Sequence, residues 1–325
     1  MKNFVLTCGP ASEDDRMLQL IAGLATGLRL NIAHLTREHL VAWLDRLQRL
    51  REAVGRNFRI ILDLQGAKVR IGRFPDTRAL PDRVELFYGE NSECIERIPV
   101  PNSSVFAQTS PGDLLLLNDR RVVVRVTDRA DGILQGLVEQ NGPLSSGKGL
   151  NSPDRVFEMA RVTASDAAAI ELSRKICDLD YAVSFVADGH EEQLFRPLIG
   201  DNHRLIAKIE QRAAFDHLKA ISGRFDELWL CRGDLGSEAG LRNLGAWQQK
   251  FVAMIPTLDC PSLLAGEVLG SMVSASQPSR AEIVQLYDAM HSGFSGLVLS
   301  DETACGTQIP AVVEFLRFFF ADADA

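Results

Sequence analysis

Three side chains in the second half of the chain have the types and the spacing to work on a charged oxygen. Ile206-Ala207-Lys208-Ile209-Glu210 ends a stretch, Arg204 to Glu210, that alternates like a strand running into a polar end. Residues two apart on a strand share a face, so Lys208 and Glu210 point the same way. Cys231-Arg232-Gly233-Asp234-Leu235-Gly236 follows an apolar run, Leu228 to Cys231, that also reads as a strand. If both are parallel strands of one barrel, Lys208, Glu210 and Asp234 converge at its C-terminal rim. Two carboxylates there would hold a divalent metal beside a fixed positive charge. That combination suits an oxyanion or a transferring phosphoryl group.

The elements that must position these residues follow a βα rhythm. Phe4 to Thr7, Leu28 to Ile32 and Arg59 to Leu64 read as strands, with helices from Ser12 (as N-cap) to about Ala25 and from about Thr36 to Val54. Parallel strands with right-handed crossovers are expected. Between about Arg73 and Gln140 the text changes to short alternating runs: Arg83 to Phe87, Leu114 to Leu117, Val122 to Val126 and Ile133 to Val138. Turn signals such as Pro111-Gly112-Asp113 and Asp131-Gly132 separate them, as in a small β domain. Gly142-Pro143 and Ser145 to Gly149 read as the hinge back. The rhythm then resumes, with strands Tyr181 to Phe185, Leu205 to Ile209, Glu227 to Leu230, Ser262 to Ala265 and Gly296 to Leu299. Helices are expected over Ser165 to Cys177, from about Glu191, over Ala213 to Ile221, Leu244 to Met254 and Arg280 to His291, and from Pro310. The reading is an α/β fold, a (β/α)8 TIM barrel over 1–72 and 147–325, with a small all-β domain over 73–146 inserted after the third strand. A doubly wound open sheet is the runner-up.

Composition sets the bounds. The 325 residues suggest about two domains, and 46% hydrophobic residues supply an ordinary globular core. A net charge of −8 argues against a nucleic-acid partner. The six cysteines are scattered without CxxC pairs, which fits reduced thiols in the cytoplasm. Met1-Lys2-Asn3-Phe4 enters a strand at once, so no signal peptide is expected, and no run is long enough to span a membrane.

Taken in order, the motifs resemble the pyruvate kinase family along nearly the whole chain. Ala207-Lys208-Ile209-Glu210 and Arg232-Gly233-Asp234-Leu235-Gly236 resemble its metal-binding core. Leu6 to Ser12 is similar to its first motif, near the nucleotide site, which brings in Pro10. Arg29-Leu30-Asn31-Ile32-Ala33-His34 resembles Arg-Leu-Asn-Phe-Ser-His, and Leu62 to Gly72 resembles Leu-Asp-Thr-Lys-Gly-Pro-Glu-Ile-Arg-Thr-Gly. The resemblance implies Arg29 and Arg70 on phosphate, Asn31 and Asp63 at a monovalent-cation position, and His34 near the nucleotide. It also implies Lys148 on a nucleotide phosphate and Lys208 as the catalytic lysine, with Glu210 and Asp234 holding Mg²⁺ or Mn²⁺. The backbone of Gly233 and Asp234 would receive a substrate carboxylate at a helix N-terminus. Gln277 to Glu282 and Leu299 to Ala304 match two further motifs, structural or at a subunit contact.

The departures carry information. Gly266 falls where the family has the Thr that assists enolate protonation, and Glu267 beside it is an acid–base candidate. Ala33 lacks the Ser hydroxyl that ligates K⁺, and Lys68 replaces a Glu, as in cation-independent members. Lys68 would then place its charge near the vacated cation position with Asp63 as partner, so K⁺ is not expected to be required. The resemblance stops with the eighth helix; the family's C-terminal regulatory domain and a fructose-bisphosphate-type allosteric site are therefore not expected.

The implied function is phosphoryl transfer between an enolpyruvate-type carboxylate and ADP/ATP, diverged in acceptor. A metal-dependent pyruvate-enolate C–C lyase or aldolase and a non-catalytic binding relative are the alternatives. The partners are then a small carboxylate or phosphate and a nucleotide, with no nucleic acid and no membrane; a homo-oligomer through the barrel stays open. Plainer readings stand beside these. Lys208, Glu210 and Asp234 could be a salt-bridge cluster, and Arg29, Arg70 and Lys148 solvated charge. His34 could be structural, Glu267 a mere rim carboxylate, and Cys8, Cys231 and Cys305 inert thiols.

Overall fold

A computed structural model describes residues 3–55, 57–66, 68–118, 120–153, 155, 157 and 160–321. Met1, Lys2 and Ala67, which fall in segments read above, lie outside the described residues. In chain order the elements are β1 (Asn3–Thr7), α1 (Asp15–Ala22), β2 (Gly27–Asn31), α2 (Arg37–Val54) and β3 (Arg59–Asp63). Next come β4 (Arg83–Tyr88), β5 (Arg97–Val100), α3 (Ser103–Gln108), β6 (Leu114–Leu117), β7 (Val122–Ala130), β8 (Ile133–Gln140) and β9 (Leu150–Asn151). Then follow α4 (Ala164–Ser173), β10 (Leu179–Val183), α5 (Glu191–Ile199), β11 (Leu205–Ile209), α6 (Leu218–Ser222) and β12 (Glu227–Cys231). The chain continues through α7 (Arg232–Ala239), α8 (Leu241–Met254), β13 (Ser262–Ala265), α9 (Arg280–His291), β14 (Gly296–Leu299), α10 (Asp301–Ala304) and α11 (Ile309–Phe319).

Eight strands close into a parallel barrel in the order β1-β14-β13-β12-β11-β10-β3-β2. The two-residue period of a strand stacks the barrel interior in layers. Val5, Ile61, Ala182, Ile206, Trp229, Leu263 and Val298 pack together as an apolar middle layer. Two residues earlier on their strands, Arg59, Asp180 and Glu227 form a charged floor: Arg59 bonds Asp180 at 2.8 Å and Glu227 at 3.3 Å. Arg204 reaches Glu227 at 3.2 Å, and the Trp229 indole donates to Glu227 at 2.7 Å. Two residues later come the polar Thr7, Asp63, Ser184, Lys208 and Ser300 beside Cys231 and Ala265, with Arg29 at the same level on β2. The layer beyond the apolar plug is thus polar, at the C-terminal ends of the strands where such barrels work.

The chain divides into two compact units. One is Met1–Gly66, Val162–Arg232 and Gly245–Ala325; the other is Ala67–Arg161 with Gly233–Leu244. The second unit is wider than 73–146. It holds a six-stranded sheet, β5-β4-β8-β7-β6-β9, antiparallel except for the β4/β5 pair. Val84, Leu86, Ile98, Val100, Leu115, Leu117, Val122 and Val124, alternating along their strands, make its separate core.

Several elements differ from the sequence reading for local reasons. Asp14, not Ser12, caps α1, accepting from the Arg16 and Met17 amides. The Ser12 hydroxyl is engaged with Gly9 in a 3-10 turn that Pro10 starts. β10 stops at Val183 because Phe185 takes a left-handed φ of 58°. The segment expected as one helix over 213–221 is a 3-10 turn, Arg212–Asp216, followed by α6. The helix α3 was not anticipated, and α7, expected only as a helix N-terminus at Gly233 and Asp234, forms although Gly233 and Gly236 make it intrinsically poor. The short helix α3 lies within the inserted unit beside its six-stranded sheet. Among the described residues no helix is long and apolar enough to cross a membrane.

Candidate active site

Asp63 is the hub of the polar layer, and it is almost fully buried. Its Oδ2 accepts from Arg29 Nε at 2.8 Å and from Arg29 Nη2 at 2.5 Å. Its Oδ1 lies 3.0 Å from Lys208 Nζ. Lys208 also meets Glu210 Oε1 at 3.0 Å and donates to Ser184 Oγ at 2.9 Å. Arg29 Nη1 donates to Thr7 Oγ1 at 2.8 Å and to Ser300 Oγ at 3.4 Å. The second oxygen of Glu210 accepts the Phe185 amide at 2.8 Å, and the Phe185 carbonyl accepts from Gln211 at 2.7 Å. The left-handed Phe185 thus aims its N–H at a buried carboxylate, a form of backbone strain common at working sites.

The charges hold one another ionised. Burial raises the Asp63 carboxyl, but Lys208 and Arg29 outweigh it and hold it below the usual range. Burial pulls Lys208 down, yet Asp63 and Glu210 lift it above an ordinary lysine. Arg29 is raised in the same way, its burial offset by Asp63. Burial, and then Glu210, push the Cys231 thiol well above its ordinary value.

Arg29, Asp63, Lys208 and Glu210 are therefore brought together within the barrel unit. Of the others there, the Asn31 side chain accepts the Ala33 amide and caps a 3-10 turn ending at the exposed His34. Pro10 is exposed at the start of its own turn. Glu267 is exposed at φ 49°, next to Gly266 at φ 87°. Arg232 fixes this pair by donating to both carbonyls, at 2.9 Å from Nε to Gly266 and 2.9 Å from Nη2 to Glu267.

The remaining candidates lie in the second unit. Arg70 donates to the Gly147 carbonyl at 2.9 Å, and the carbonyl of the exposed Lys148 accepts the Ile71 amide. Gly233 is exposed in the first turn of α7. Lys68 pairs with Asp234, which corrects the expected partner Asp63, whose two oxygens serve Arg29 and Lys208. Gly149 makes room for that pair, because a Cβ there would stand 2.2 Å from Lys68 Cε. Ser184, Thr7, Ser300 and Phe185 escaped the sequence reading as site residues. Thr7, Ser184 and Ser300 lie two positions past an inward apolar residue, and that period was the available signal. The Gln277 to Glu282 motif is structural here: Ser279 caps α9 and Glu282 binds the Ser271 amide and hydroxyl.

Among the described residues no group of three or more His, Cys, Asp or Glu side chains is assembled to hold a metal. Glu210, in the barrel unit, and Asp234, in the second unit, each carry carboxylate oxygens. Such hard oxygen donors fit Mg²⁺ or Mn²⁺, ions that keep waters and bind through one or two carboxylates plus substrate oxygens.

A parallel barrel with paired cations and carboxylates buried at its strand ends has the fold and charge pattern of a (β/α)8 enzyme. The family description "Pyruvate kinase, barrel domain" matches residues 1–312. Two proteins of Agrobacterium vitis, each named pyruvate kinase, are 32% and 33% identical to this chain. Each match covers 96% of this chain, and 67% and 66% of the relative. The crystal structure of pyruvate kinase from Pyrobaculum aerophilum matches with a TM-score of 0.85 at 25% identity, over 99% of this chain and 73% of that one. The chain belongs to the pyruvate kinase family and is a pyruvate kinase-like phosphotransferase. It spans about two thirds of the length of the curated relatives it matches.

Proposed function

We propose that the chain transfers a phosphoryl group between an enolpyruvate-type carboxylate and a nucleoside diphosphate. The observation that carries this reading is the buried Arg29–Asp63–Lys208–Glu210 array. A bond from the enol oxygen to phosphorus breaks while one from the terminal phosphate oxygen of ADP forms. Catalysis of such a transfer is mostly positioning and charge neutralisation. Lys208 and Arg29 would face the transferring oxygens, with Asp63 keeping both cations in place. Glu210 and Asp234 would hold Mg²⁺ or Mn²⁺, which when bound supplies Lewis-acid charge to the phosphoryl oxygens. The Gly233 and Asp234 amides open α7, an eight-residue helix, and would receive the carboxylate. Arg70 and Lys148 would serve phosphates, and Asn31, His34 and Pro10 the nucleotide side. Gly266 offers no hydroxyl for enolate protonation, which supports slow pyruvate release and a diverged acceptor, with Glu267 the nearest acid–base candidate in sequence. Ala33, which lacks the Ser hydroxyl, and Lys68, which stands where the family has a Glu, support ligand binding without K⁺. A cytoplasmic setting agrees with six free cysteines.

Calorimetry with Mg²⁺ or Mn²⁺, ADP and phosphoenolpyruvate tests the reading. Binding of both ligands is expected, and Asp234→Ala should abolish metal binding while circular dichroism stays unchanged. Unaltered metal affinity in that variant would overturn the ligand assignment.

A further inference from the structure

Lys208 has three N–H groups and three acceptors: Asp63 Oδ1 at 3.0 Å, Glu210 Oε1 at 3.0 Å and Ser184 Oγ at 2.9 Å. Two are anions and one is a neutral hydroxyl. An ammonium so saturated can meet a phosphoryl oxygen only by releasing a partner. Asp63 and Glu210 meet the ammonium charge to charge, whereas Ser184 offers it only a neutral dipole, so Ser184 is the partner to yield.

Ser184 is built for that place. It is buried, and its single proton goes to the Leu64 carbonyl at 2.8 Å; Asp63 Oδ1, at 3.5 Å, is too far to compete. The hydroxyl therefore turns a lone pair to Lys208 and has no proton to give a ligand. The backbone it leans on is pinned. The Leu64 amide donates to Ala182 at 2.9 Å, and the buried Asp166 carboxylate accepts the next two amides, Gln65 at 2.7 Å and Gly66 at 3.2 Å. Gly66 has a left-handed φ of 63°, and a Cβ there would stand 2.6 Å from Ser184 Cβ.

We propose that Ser184 is a positioning residue that occupies, in the ligand-free protein, the place on Lys208 taken by a phosphoryl oxygen in the complex. This rests on the proposed role of Lys208. Removing the hydroxyl leaves one buried N–H unsatisfied in the free protein and changes nothing on Lys208 in the complex. Ser184→Ala should therefore bind phosphoenolpyruvate more tightly, roughly fivefold or more in Kd and KM, with no gain in kcat. Oxalate, which has no phosphoryl group, should bind as before. In a Lys208→Met background the effect of Ser184→Ala should vanish; if it persists, it acts through the 64–66 backbone and the proposal falls.

A second readout needs no ligand. The ¹⁵N-ammonium signal of Lys208 should be protected from water exchange in the natural protein, and lost or broadened in Ser184→Ala. Its absence from the natural protein, or its indifference to Ser184→Ala, overturns the proposal. Failure of the natural protein to bind phosphoenolpyruvate would instead count against the phosphotransfer reading, and the ammonium signal would still decide the role of Ser184.

Discussion

Replacing Asp63 with Asn keeps its shape and removes the one charge that serves both Arg29 and Lys208. At 3.0 Å and an effective dielectric near 20, the Lys208 contact alone is a gross attraction of about 5–6 kcal/mol. Desolvation offsets much of that in the intact array. The variant keeps the desolvation of two buried cations, with Glu210 left as their near counter-ion. Breaking such a buried set costs about 3–5 kcal/mol. At about 2 °C per kcal/mol for a chain this size, the midpoint of thermal unfolding should fall by roughly 6–10 °C. The pH dependence gives a sharper test. Lys208 and Arg29 hold Asp63 below its unfolded value despite its burial. A depressed carboxylate stabilises above its unfolded pKa of about 3.9, and that stabilisation is lost as pH falls through the folded value. The gap between natural protein and Asp63→Asn, read from urea unfolding, should therefore hold from about pH 7 to about pH 4 and close below that. A loss under about 1 kcal/mol at neutral pH, the range of an exposed pair, would refute the hub. So would a gap that stays constant into acid.

Restoring the family's Thr at Gly266 places a β-branched residue at φ 87°, so Gly266→Thr should cost more than about 1 kcal/mol in urea unfolding. The natural protein should convert phosphoenolpyruvate and ADP weakly, and Gly266→Thr should not repair this; vigorous natural turnover would show that the acceptor has not diverged. Ligand affinity should be equal in K⁺-free buffer and in KCl of the same ionic strength, with Lys68→Glu gaining a K⁺ requirement. A large K⁺ enhancement in the natural protein would contradict the tethered ammonium.

β6, β11, β13, β14 and α9 were legible residue for residue, because each apolar run is bounded by turn residues that admit one register. The Lys208–Glu210 pairing was legible for the same reason, since period two fixes which strand residues share a face. The Asp63 hub was not. Its partners come from β2 and β11, and only barrel closure and strand tilt bring those side chains together. The partner of Lys68 was misread because sequence resemblance locates a residue along the chain, not the direction of a flexible four-carbon stem. The left-handed Phe185 left no mark either, because aromatic residues are common in strands and rare at positive φ.

The seam where β1 meets β14 joins residues almost 300 positions apart, with Asn3 opposite Gly296 and Leu6 opposite Leu299. Gly296 admits that contact, for a Cβ there would lie 2.1 Å from the Asn3 carbonyl oxygen. Thr7 stitches the seam further: its hydroxyl donates to Leu299 at 2.7 Å and its amide to Thr303 at 3.0 Å. That same Thr7 hydroxyl accepts from Arg29. On the ribosome, at about 5–20 residues per second, β1 must wait roughly 15–60 s for its neighbour to be made. Until then the nascent sheet has two open edges, and Arg29 lacks the orienting hydroxyl that β14 holds in place. The last barrel strand to be synthesised is thus the one that licenses the first to support chemistry. A growing chain would remain an inert, edge-exposed client for chaperones until its final strand docks.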